Sequence, residues 1–180
     1  MDETFTSGLT DYLAGLSTMV STVPDEDTAA VLATFEAAVK EFGDVVIASV
    51  PSEICHDGYF FTGTTPPGCG RTTDTVGHGS GVCNLVAKSF LDQTPSSDVS
   101  IVNIGSCRSG IDSGDFTVEK AITLLPFSNT LVEIQMTGED IIEVLNSAAK
   151  NALSKTSPGA FPYASGLRYD VDANNMEAPM

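Results

Sequence analysis

The stretch from Asp98 to Met136 constrains this chain more than any other, because a short apolar run leads into a polar corner and a second alternating segment follows. Val99, Ile101 and Val102 have strand character, and they run directly into Asn103, Gly105 and Arg108. That order predicts a strand over 98–103 which brings an amide, a bare length of backbone and a fixed cation into one loop. The combination suits a ligand that carries both a planar ring and an anion. Beyond the corner, Asp115 or Thr117 is placed to start a short helix ending at Pro126. Val132, Ile134 and Met136 alternate with Leu131, Glu133 and Gln135, which predicts a half-buried strand.

The flanking segments supply helices and one further strand on each side. Leu9, Tyr12, Leu13, Leu16, Met19 and Val20 recur at helical spacing up to Pro24. Asp25 or Asp27 then caps a second helix whose Leu32, Phe35, Val39 and Phe42 share one face, and Gly43 stops it. Val45, Val46 and Ile47 mark a strand over 44–50 that Pro51 closes. Ser80 is placed to cap a helix carrying Val82, Leu85, Val86, Phe90 and Leu91. Thr137 and Asp140 form a variant capping pair for a helix through Leu153, with Ile141, Ile142, Leu145, Ala148, Ala149 and Ala152 turned inward. Gly166 to Val171 reads as the last strand, and residues 173–180 as an unanchored tail. Alternating strands mixed with capped helices predict an α+β fold of layered sheets covered by helices.

Charge and cysteine content exclude several classes of function. The 180 residues carry a net charge of −16, from 24 acids against 8 scattered bases, so there is no basic face for nucleic acid. Acidity at this level repels anions at long range, and any phosphate site must depend on local groups such as Arg108. No run of apolar residues is long enough to span a membrane. The four cysteines form no CxxC pair, and with His56 and His78 they make a poor zinc set. Cys55 and Cys69 flank a Gly, Pro and Thr-rich loop that has little means of ordering itself. A disulfide there would contribute about 3 kcal/mol by restricting the unfolded chain, against the alternative of two separate reduced thiols. Cys83 and Cys107 are open to either reading, small buried residues or a second bridge. Asp170, Asp172 and Asn174 echo a calcium loop, but the glycine position holds Asn175 and no closing glutamate follows, so a turn is the better reading.

Four ordered blocks carry a family likeness: NIGSCR at 103–108, SGDFT at 113–117, LLPFSNTLVEIQMTG at 124–138 and GAFPYASGLRYDVD at 159–172, with a weaker CNLVAKSFL at 83–91. Together they resemble the C-terminal, substrate-binding domain of the secreted 5'-nucleotidase and UDP-sugar hydrolase family. The resemblance implies a layered α/β/β/α domain over 44–172, a helical lead-in over 1–43 that joins it to a catalytic domain, and truncation at the C-terminal end. It implies an extracellular, periplasmic or cell-surface location. It also implies a pair of divalent metal ions, held by an N-terminal catalytic domain that is absent here. None of that domain's metal-binding blocks occurs in these residues, so no cofactor and no catalytic residue is expected in this chain.

The same resemblance assigns a nucleotide or nucleoside as ligand and gives roles to individual positions. Asn103 matches an asparagine near the base, Arg108 an arginine facing ribose or phosphate, Phe127 an aromatic stacking on the base, and Asn129 a polar neighbour, with Gly105 in the loop between them. An aromatic face, an amide and a guanidinium are the groups a nucleotide calls for. The family arginine that helps hold phosphate near residue 78 is absent, leaving Arg71 or His78 as substitutes. Ile104 and Ser106 stand where the family's Asn-Gly-Gly-Gly-x-Arg loop has glycine, so their side chains are expected to crowd the ligand. The family's second stacking aromatic belongs to a Gly-Gly-Asp-Gly-aromatic motif that these residues lack. The competing expectation is a noncatalytic structural or interaction module that keeps the fold without binding nucleotide.

Overall fold

A computed structural model describes residues 25–56, 69, 79–154 and 156–172. The expected helix over 4–20, Arg71, His78 and the terminal tail lie outside the described residues. The chain divides after Phe42 into two compact units. Helix α1 (Glu26–Gly43) dominates what is described of the first. Asp25 starts it by accepting bonds from the Thr28 amide and hydroxyl, both at 2.9 Å. The Thr28 amide bond is the larger cause holding the Asp25 carboxyl below its ordinary range. Leu32, Phe35, Val39 and Phe42 do recur along the helix as the spacing predicts, and all four are exposed.

The described residues of the second unit form two antiparallel strand pairs and three helices. Strand β1 (Val46–Val50) pairs with β3 (Gly114–Thr117), with an irregularity between Val46 and Ala48. Strand β2 (Ser100–Asn103) pairs with β4 (Pro162–Ser165), setting Ile101 opposite Ala164 and Val102 opposite Tyr163. Helix α2 (Gly81–Gln93) lies against β2 and β4, α3 (Val118–Leu124) follows directly from β3, and α4 (Gly138–Leu153) packs on the Pro158–Ala160 turn. The architecture is α+β, as the alternation of patterns predicts.

Each described helix of this unit begins where the sequence places a cap. Ser80 accepts from the Cys83 amide, Thr117 from the Lys120 amide, and Thr137 and Asp140 bond reciprocally in a capping box. Replacing Thr137 by alanine is expected to lower urea-unfolding stability by about 1 kcal/mol. Hydrogen bonds from the Thr137 hydroxyl and then its amide hold the Asp140 carboxyl below the ordinary carboxylate value. The cap's contribution is therefore complete above about pH 4 and is lost as pH falls through the depressed value. The alanine variant should show the smaller acid dependence. Along α4, Leu145, Ala149 and Ala152 are buried as expected, whereas Ile142 is exposed.

Two strand assignments are corrected. Residues 131–136 are not a strand, because no strand among the described residues pairs with them. Val132 and Ile134 stand 76% and 71% exposed, and Glu133 is held only at its tip by the Ser96 hydroxyl at 2.6 Å. The last strand among the described residues is β4, and 166–171 form none. Gly166, at φ +84°, turns the chain out of the sheet, and the Tyr169 hydroxyl then donates back to the Pro162 carbonyl. Burial pushes that phenol up to about 12.

The core gathers Val82, Cys83, Val86 and Ala87 of α2 with Val102, Ile104, Cys107, Ile111, Leu124 and Tyr163. Within it sits a polar node for which the sequence reading had no role. His56 is 1% exposed, with Nε2 2.8 Å from the Cys107 carbonyl and Nδ1 2.9 Å from Ser80 Oγ. A carbonyl only accepts, so Nε2 carries a proton there, while Nδ1 and the Ser80 hydroxyl share the second bond. Ser80 Oγ in turn accepts from the Cys83 amide, and the Ser80 amide donates to Tyr163 Oη at 3.0 Å. Every group in this chain of bonds is paired, which is what burial of polar atoms demands. The expected Cys55–Cys69 disulfide is present beside it, with the Cys55 carbonyl accepting from the Val82 amide.

Candidate functional site

The polar corner after β2 is held in place by the 158–161 turn. Asn103 Nδ2 donates to the Gly159 carbonyl at 2.8 Å, and the Ile104 amide donates to the Phe161 carbonyl at 2.8 Å. Gly105 lies so close to that turn that an added Cβ would stand 3.1 Å from the Gly159 carbonyl oxygen and 3.0 Å from Asn103 Nδ2. Its bareness thus serves packing of one backbone on another. The Ile104 side chain is buried in the core, so it does not crowd the loop as expected. Ser106 donates to Asn103 Oδ1 at 2.6 Å, which engages the other end of that amide.

Arg108 is delivered by a backbone bond. Its amide donates to the Leu124 carbonyl at 2.9 Å, joining the corner to the end of α3. Leu125 caps α3, Pro126 ends it, and Phe127 emerges 53% exposed. The guanidinium carbon of Arg108 lies 5.9 Å from the centre of the Phe127 ring, while Nη1 donates to the Gly105 carbonyl at 3.3 Å. A cation at that distance is attracted to the ring's negative face. Phe127, Ser106, Asn129, Phe90, Leu125 and Leu131 line one cleft of about 300 Å³, at the lower end of the range for small-molecule sites.

Arg108 therefore meets Phe127, which lines the cleft with Asn129, whereas Asn103 and Gly105 contact the turn at Gly159. Asn103 accepts from the cleft residue Ser106, and the Gly105 carbonyl accepts from Arg108. Ser106, Phe90 and Leu131 are cleft residues that the sequence did not single out for binding. Phe90 carried a helical-face signal that reads equally as core, and Ser106 was legible only as a neighbour of Arg108. Chemically the cleft has an apolar wall, an exposed aromatic face and hydrogen-bonding side chains, and a permanent cation stands against that aromatic ring, the requirements for a ring with an anionic substituent.

Comparison with known proteins decides the family. The profile of the 5'-nucleotidase C-terminal domain matches residues 62–178, more than half of the chain. This chain belongs to the 5'-nucleotidase C-terminal domain family. A probable 5'-nucleotidase of Treponema pallidum is 40% identical over 96 residues, covering 48% of this chain and 16% of that protein. The NAD 5'-nucleotidase of Haemophilus influenzae is 35% identical over 116 residues, covering 62% of this chain and 19% of that protein. The chain thus spans less than a fifth of either relative. Among solved structures, a 5'-nucleotidase precursor from Thermus thermophilus superposes with a TM-score of 0.60 at 25% identity, covering 82% of this chain and 26% of that one. Like its resemblance to the 5'-nucleotidase C-terminal domain, the fold is thereby shown. Among the described residues of this family member, no group of three or more His, Cys, Asp or Glu is placed to hold a metal ion. No described helix is long and apolar enough to cross a membrane.

Proposed function

We propose that this domain recognises a nucleotide for a 5'-nucleotidase-type phosphohydrolase, whose metal-dependent chemistry is performed by residues outside this chain. The observation that carries the reading is the meeting of Arg108 and Phe127 at 5.9 Å beside a cleft that Asn129 also lines. The nucleobase lies against the free face of Phe127, Asn129 and Ser106 offer hydrogen bonds at its edge, and the Arg108 guanidinium turns from the ring toward ribose or phosphate. Asn103 and Gly105 hold the loop in shape rather than touch the base directly. A pair of divalent ions in a separate catalytic domain would supply hydroxide and clamp the phosphoryl group. A compartment outside the cytoplasm fits the Cys55–Cys69 disulfide.

Titration of the chain with AMP, adenosine, a sugar nucleotide and NAD tests this reading. Phe127→Ala should weaken every one of these ligands, by roughly five- to a hundred-and-fifty-fold if the ring contributes the usual 1–3 kcal/mol of base stacking. Arg108→Ala should weaken AMP more than adenosine, because both bring a ribose and only the former a phosphate. Absence of binding, or equal binding by the three proteins, favours a structural module instead.

A further inference from the structure

Cys83 and Cys107 carry an inference independent of the nucleotide cleft. We propose that these two residues are a second disulfide site, closed while the chain folds in an oxidising compartment, which locks the start of α2 to the loop that presents Arg108. The geometry is convergent. Both are free thiols in this structure, they share one core cluster at 0% and 2% exposure, and the Cys107 side chain is the largest influence on the Cys83 thiol. Their backbones are tied through two side chains, since the Cys107 carbonyl meets His56 Nε2 and the Cys83 amide reaches Ser80 Oγ, which is bonded to His56 Nδ1. The residue before His56 is Cys55 of the existing disulfide, and its carbonyl receives the Val82 amide one residue from Cys83. Two cysteine pairs therefore flank one buried node.

Burial fixes the timing of closure. The Cys107 hydrogen bond, with burial, pushes the Cys83 thiol well up from its ordinary value, and a thiol so placed in the folded protein is inert toward exchange. Closure belongs to the interval before α2 docks, when both sulfurs are accessible. With oxidised glutathione as oxidant, one protein thiolate attacks a donor sulfur to form a mixed disulfide and releases one glutathione thiolate. The second protein thiolate then displaces the other glutathione. One protein S–S bond forms as one donor S–S bond breaks, and two electrons and two protons pass to two glutathione molecules.

The test is thiol counting on the full chain, folded in a glutathione redox buffer, acid-quenched, then unfolded without reductant and alkylated with iodoacetamide. The expected result is no alkylated cysteine, an intact mass about 4 Da below the reduced chain, and a linked peptide pair containing Cys83 and Cys107. Cys55→Ala/Cys69→Ala isolates the second pair and should also end with no reactive thiol. Alkylation of both Cys83 and Cys107 in the unaltered chain, or a linkage of either to Cys55 or Cys69, would overturn the proposal. The unaltered chain decides the matter if the double variant does not fold.

Discussion

Replacing Gly166 by alanine is expected to destabilise the domain by about 3 kcal/mol or more, read as a fall in the urea midpoint. Two effects act together. The residue holds φ +84°, where a side chain is strained, and an added Cβ would stand 2.2 Å from the Asp98 carbonyl oxygen. That oxygen is backbone, so it has no flexible end to move aside. Relief requires the chain leaving β4 to shift away from the segment entering β2, and the register of Ser100 against Ser165 lies next to that contact. A midpoint within experimental error of the parent chain would mean that this turn is not formed in solution.

Tyr163→Ala should be comparably severe, about 3–5 kcal/mol, because it empties a core position on β4. Tyr163→Phe separates the ring from its hydroxyl. It keeps the ring's packing, including the edge-on contact with Phe161 at 5.8 Å, but strands the buried Ser80 amide, at a cost of about 1–3 kcal/mol. The phenylalanine variant also has a pH signature. Burial raises the Tyr163 phenol above its ordinary value near 10, so its stabilising contribution is complete below about pH 10 and is lost as pH rises toward the folded value. Unfolding midpoints measured up the alkaline range should therefore fall less steeply for Tyr163→Phe than for the parent. Tyr169, raised to about 12, retains part of the slope in both. Parallel alkaline profiles would refute a buried Tyr163 phenol.

The legible parts of the fold were those determined by neighbours along the chain. Caps at Ser80, Thr117 and Thr137 require a side chain and an amide three residues on, and all three bonds are made. Strands require partners far away in sequence. The alternation in 131–136 is as regular as any in the chain, yet no described strand supplies its pairing. At the end of the chain the pattern pointed to 166–171, while pairing with β2 selected 162–165. The His56 node was illegible for the same reason, since its meaning arises where residues 56, 80, 107 and 163 converge.

The candidate site was legible chiefly through family likeness. Taken alone, Phe127 reads as core and Arg108 as a surface ion-pair residue, because nothing local announces that the Arg108 amide will bond Leu124. The sequence pointed to Asn103 and Gly105 as ligand groups. In the fold, the amide and the missing side chain also hold the loop against Gly159.

Fastening the Arg108 amide to the Leu124 carbonyl also separates two properties that most binding pockets entangle. The reach from cation to ring is set by the short Leu125–Pro126 link, whose proline restricts one backbone rotation. Lengthening or relaxing that link would carry the aromatic platform away while the guanidinium stayed anchored beside the core. Selectivity could then drift through a surface hinge with little penalty in folding, whereas drift through the Asn103–Gly105 corner would disturb both.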